Sequence, residues 1–153
     1  MKTTDTKAAL TVSSPDFKHE DYIPAKFTCE GKNINPSLNI KGVPKETLSL
    51  ALIMDDPDAP GGTFDHWLVW NIHPAEKISE DSLPGIAGKN SSGKNKYMGP
   101  CPPSGTHRYF FKIFALDTTL HLPPHSGKQM LEQAMQGHVL AYGELIGLYK
   151  KHN

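Results

Sequence analysis

The chain holds 153 residues, enough for one domain with a single substantial core. Its 16 Lys and Arg balance 16 Asp and Glu, so it lacks the net basic character with which nucleic-acid binders displace phosphate counterions. No segment approaches the ~18–20 consecutive apolar residues of a bilayer span, and the opening MKTTDTKAALTVSS has no apolar centre of secretory type, so the expected location is the cytoplasm.

Thirteen glycines and thirteen prolines imply many turns, which favours short strands over long helices. Residues 1–10 read as a flexible leader and residues 11–153 as one domain, with no repeat or linker dividing it. Phe27-Thr28-Cys29 and Leu38-Asn39-Ile40 read as short strands around the turn-rich EGKNINPS. In LSLALIM, residues 48–54, Leu48, Leu50, Leu52 and Met54 share one face of a strand, which Asp55-Asp56-Pro57 should end. DHWLVWNI, residues 65–72, alternates His66, Leu68, Trp70 and Ile72 against Trp67, Val69 and Asn71; both faces are apolar, so this strand should lie between two layers. Residues 75–106 read as loop, and the lysines at 89, 94 and 96 as its solvated face.

A second long strand follows at 107–117, with His107, Tyr109, Phe111, Ile113 and Ala115 on one side. Beyond Gly127, Met130, Leu131, Ala134, Met135, His138 and Ala141 recur at helical spacing, which predicts one amphipathic helix. YGELIGLYKK, whose glycines weaken a helix, is read as a strand. The fold class is therefore mainly β: an antiparallel β-sandwich of two sheets with a peripheral helix near the C-terminus.

Each long strand opens on a histidine after a Pro/Gly-rich loop, DDPDAPGG before His66 and GPCPPSG before His107. Neighbouring strands would bring both imidazoles to one rim, with Tyr109 a pleat further in and Asp56 and Asp58 within reach on a stiff turn. Such a hollow suits an anion: imidazole N–H groups and a phenol donate, and a carboxylate on one imidazole fixes its tautomer. Backbone amides near Gly99 and Cys101 would add donors. Asp55 is expected to stay solvent-side, and Arg108 to sit at the rim or in an ion pair.

DDPDAP, DHWLVWNI and YMGPCPPSGTHRYFFKIFALD resemble the phosphatidylethanolamine-binding protein family, in particular its bacterial branch of Raf-kinase-inhibitor-like proteins. FTCEGKNINPSLNI and AMQGHVLAYGELIGLY extend the likeness over residues 11–149. The resemblance implies a β-sandwich with a small anion pocket made by Asp56, His66, the loop Gly99, Pro100, Cys101, Pro102 and Pro103, then His107 and Tyr109, with Asp58 supporting the turn. It further implies a non-enzymatic protein without cofactor or bound metal, holding a small phosphate-like ligand and modulating a partner such as a kinase or protease. A homodimer is left open. The short turn GGTFD and Cys101 within the proline loop depart from the eukaryotic pattern, so partners of eukaryotic members do not transfer.

Three catalytic readings are weaker. No serine sits in G-x-S-x-G. A cysteine phosphatase would want its arginine six residues after the nucleophile, whereas Arg108 is seven after Cys101 and the adjoining prolines delete amides. A metal-dependent hydrolase lacks H-E-x-x-H or another close ligand pair. A further alternative is an interaction protein with a vestigial pocket, acting through the loop at 89–98. Cys29 and Cys101 could meet across the fold, but a reducing cytosol argues against a bond between them.

Overall fold

A computed structural model gives the structure of residues 8–152. Its strands are β1 (Ala8–Ala9), β2 (Thr11–Ser13), β3 (Asp21–Tyr22), β4 (Leu38–Lys41), β5 (Ser49–Asp56), β6 (Phe64–Ile72), β7 (Lys77–Ile78), β8 (Ile86–Ala87), β9 (His107–Leu116) and β10 (Val139–Tyr149), with one helix, α1 (Lys128–Met135). Seven strands form a sheet in the order β1-β10-β9-β5-β6-β8, with β3 also on β10; β2, β4 and β7 form a second. Pairing is antiparallel except where β1 and β3 run parallel to β10.

The large sheet is covered on both faces. Leu52, Met54, Trp67, Val69, Phe111 and Ile113 pack in one core with Val12, Leu38, Ile40 and Ile78 of the small sheet. Ala51, Ile53, Leu68, Trp70 and Phe114 form another core with Leu131 and Met135 of α1. All eight residues of β5 are consequently buried. Each aliphatic or Phe side chain so buried contributes about 1.5–3 kcal/mol. The sandwich with a peripheral helix is as expected.

Two β-bulges in β6 break the alternation read from its sequence. Met54 pairs with Trp67 but Asp55 with Asp65, which leaves His66 as an extra residue. A bulge turns two successive side chains to nearly the same side. His66 therefore joins the face of Trp67 instead of that of Leu68. The second irregularity, between the pairs Leu50–Ile72 and Leu52–Val69, accommodates Asn71 at φ 54°, and moves Ile72 into the Trp67 core. Asn71 holds the chain beyond β9 by reciprocal hydrogen bonds with the Leu120 backbone at 2.9 and 2.7 Å.

Other expectations are corrected. Residues 1–7 of the predicted leader lie outside the described residues, but Ala8–Ala9 pair with β10 and Leu10 is buried. Ala25–Phe27 form a 3-10 turn instead of a strand at 27–29; the Thr28 hydroxyl donates to the Ala25 carbonyl and accepts from the Glu30 amide, local bonds that compete with a ladder. Leu48 is exposed, and β5 runs through both aspartates to stop at Pro57. Helix α1 ends at Met135 because Gln136 turns out of helical geometry at ψ 127° and Gly137 adopts φ 83°, so His138 and Ala141 leave the apolar stripe. Cys29 and Cys101 are disulfide-bonded across 72 residues, their Cα atoms 5.5 Å apart. The contrary expectation weighed compartment alone, whereas the fold sets the two side chains against each other.

Candidate functional site

A hollow of about 360 Å³ opens at the end of the large sheet where β5 and β6 turn and β9 begins. Asp56, His107 and Tyr109 face it from β5 and β9, and His66 and Phe64 from β6. Ala59 and Pro60 of the turn, with Gly99, Cys101, Pro102 and Pro103 of the proline loop, complete its lip. The predicted pocket residues thus converge, except that Pro100 does not border the hollow; its carbonyl accepts from the Cys29 amide at 3.1 Å.

Asp56 continues the period-two row of Leu52 and Met54, which places its carboxylate on the pocket side of β5. It is buried, and its Oδ1 accepts from the Asp58 amide at 2.8 Å, while Oδ2 accepts from His107 Nδ1 at 2.7 Å. Asp58 ties the turn to the start of β9. It accepts the Arg108 backbone amide and two guanidinium nitrogens, each at 2.9 Å, and these hydrogen bonds pull its pKa down to about 2. The D-P-D turn is therefore fastened to H-R by two acids on two consecutive residues.

His66 is held differently. Its Nδ1 lies 2.6 Å from the Met98 carbonyl, and a carbonyl only accepts, so this nitrogen carries the proton. Burial pushes the His66 pKa below the ordinary imidazole value, against the opposing pull of Met98 and Asp56. The ring is therefore neutral at neutral pH, with Nε2 an acceptor. Both imidazoles commit Nδ1 to the protein, and among the described residues neither Nε2 has a hydrogen-bond partner. Between them lies Tyr109, its ring centre 5.3 Å from His66 and 6.4 Å from His107. Its buried hydroxyl makes no hydrogen bond of good geometry; burial pushes its pKa far up, only partly offset by the nearby Cys101 backbone amide, so it stays a phenol. A buried hydroxyl left unpaired costs about 1–3 kcal/mol.

The proline loop rests on residues 27–33. A side chain at Gly99 would meet the Phe27 carbonyl at 2.3 Å and Asn33 Oδ1 at 2.4 Å. The Gly99 amide already donates to Asn33 Oδ1 at 2.8 Å, so the expectation of a free donor at Gly99 is corrected. The disulfide fastens Cys101 to the same segment and leaves it no thiolate, which removes the cysteine-phosphatase reading. Residues 89–98 border the same hollow. Asn90 organises that loop through Ser92, Lys94 and Lys96, and the loop adds Ser92 and Met98 to the pocket wall.

Asp55 corrects a further expectation. It points to the other face of β5, fully buried, with Lys128 at 2.8 Å and Lys112 at 3.1 Å. Sequence reasoning also missed Met98, Phe64 and Asn33: a carbonyl acceptor and a packing edge carry no motif signal. Among the described residues no three His, Cys, Asp or Glu side chains gather as metal ligands would, and no helix is long and apolar enough to cross a membrane.

The profile described as phosphatidylethanolamine-binding protein matches residues 13–150. The chain belongs to that family. Within it, UPF0098 protein PH1269 of Pyrococcus horikoshii is 50% identical, the alignment covering 95% of this chain and 78% of that one. The crystal structure of the phosphatidylethanolamine-binding protein homolog CT736 of Chlamydia trachomatis superposes with TM-score 0.91 at 37% identity, covering 95% of this chain and all of that one. YbcL of E. coli, described as a new member of the mammalian family, gives TM-score 0.86 at 29% identity, with coverages of 95% and 100%. This family member, like those two, is built mainly of strands in the same arrangement.

Proposed function

We propose that the protein is a non-catalytic binder of small phosphate esters, held in the hollow by His66, His107 and Tyr109. The observation that carries this reading is that His66, His107 and Tyr109 line a single cavity, with both imidazoles committing only Nδ1 to the protein and the buried phenol hydroxyl lacking a hydrogen bond of good geometry. A phosphate needs donors; Tyr109 O–H supplies one, and the His107 ring, when both its nitrogens carry protons, would supply a second at Nε2. His66 Nε2, an acceptor, asks for a P–OH. The set therefore favours the singly protonated ester, whose second ionisation lies near pH ~6. Asp56 acts by orienting His107 and balancing its charge. The family description, a binding protein, is consistent with this role.

NMR titration with phosphoethanolamine tests the reading. Saturable shifts at His66, His107 and Tyr109, weakening as pH rises from about 5 to 8 through the ester's own second ionisation near ~6, are expected. No shifts at millimolar ligand, or equal affinity in His107→Ala, would sink it.

A further inference from the structure

Beyond the proline lip lies a second, positively charged hollow. Strand β10 pairs Tyr149 with His107, so the chain leaves the sheet at the pocket's own end and continues directly into Lys150-Lys151. Both lysines border a hollow of about 260 Å³ with Pro102, Pro103, Ser104 and Gly105. Pro102 and Pro103 also wall the phosphate pocket, so one lip divides the two spaces. On their far side the lysines border a further hollow of about 680 Å³, with Tyr22 and Pro24.

The two lysines are placed by the fold. Before them, Tyr149 is buried in the sheet and its hydroxyl donates to Glu30. After them, the His152 amide donates to both Glu30 oxygens, at 3.1 and 3.2 Å. Glu30 adjoins Cys29, whose disulfide to Cys101 anchors the lip itself. The segment carrying the charges and the lip beside it are thus fixed to the same short stretch of chain. Among the described residues, neither Lys150 nor Lys151 forms an ion pair. Glu30 is engaged by Tyr149 and His152, and the Arg108 charge by Asp58.

We infer that Lys150 and Lys151 form a second anion subsite, and that the natural ligand is a small phosphate ester carrying another anionic group, which reaches over Pro102-Pro103. This rests on the phosphate-pocket reading and narrows it to doubly anionic ligands. A ligand with one phosphate would leave the ammonium groups solvated, whereas a second anion at the right reach turns binding into a two-point contact with an effective concentration set by the spacer.

Calorimetry at low salt, using butanediol, hexanediol and octanediol bisphosphates against the matching alkyl monophosphates, tests it. At least one bisphosphate should bind about tenfold tighter than its monophosphate, equal to roughly 1.4 kcal/mol. Lys150→Ala with Lys151→Ala should abolish that gain and leave monophosphate affinity within about twofold, since mobile surface charges contribute little to a ligand they do not reach. No bisphosphate binding tighter than its monophosphate at any of the three spacers, or a gain that survives the double substitution, overturns the subsite while the phosphate pocket stands. Monophosphate binding that is absent, or indifferent to His107→Ala, removes the pocket and the subsite together.

Discussion

Asp55 and Asp56 are adjacent, equally buried and chemically identical, yet β5 sends them to opposite faces of the sheet and to opposite uses. Asp55 meets two ammonium groups, and Lys128 in turn reaches Asp65 at 3.1 Å, so that charge is neutralised within the protein. Asp56 meets one imidazole and one amide, and beyond them lie an open cavity and an unpaired phenol. The closed set serves stability, since desolvated charges are tolerated when fully paired. The open set leaves polar groups short of protein partners, and these are open to water or to a ligand.

Reducing the disulfide should produce the largest effect, because the Cys29–Cys101 bond closes a loop of 72 residues and such closure stabilises by about 4 kcal/mol. Urea unfolding with and without reductant measures it; an unchanged midpoint would mean the lip is held without the bond. Asp55→Ala should cost about 3 kcal/mol, as expected on stranding buried cations, and leave phosphoethanolamine affinity unchanged. Asp56→Asn should cost nearer 1 kcal/mol and lower that affinity at least tenfold, because His107 loses its orienting charge. Equal destabilisation by the two substitutions would erase the distinction between the faces.

His66 gives a smaller, pH-dependent effect. Its folded pKa lies below the unfolded value of ~6.5, so the unfolded chain binds the proton more readily. Its contribution should reduce stability progressively as pH falls below about 6.5, level off beneath the folded value, and vanish above. His66→Gln should flatten that part of a denaturation profile taken between pH 5 and 8; an unaltered slope would assign it to other groups. Smallest is Tyr109→Phe, which removes an unpaired buried hydroxyl. Stability should hold or rise by up to about 1 kcal/mol while phosphoethanolamine binding weakens. A clear loss of stability would show that the hydroxyl has a partner within the protein.

Much of this was legible from residue order. The alternation in β5 and β9 placed Met54 and Phe111 in one core and Ile53 and Phe114 in the other, and the D-P-D and H-R-Y motifs marked the site. In β6 the same alternation misassigned His66 and Ile72, because a bulge inserts a residue without any change in composition. Asp55 looked solvent-side since its cations, Lys112 and Lys128, stand 57 and 73 residues away.

The sequence by itself determined the apolar rows that make two layers, the turns between them, and which histidines and acids occur at the strand ends. Only the tertiary structure decided which face His66 takes, which aspartate is neutralised, and that Cys29 meets Cys101. Those outcomes depend on register and on contacts between distant segments, whose energies depend on the partner and its distance, and neither is encoded locally.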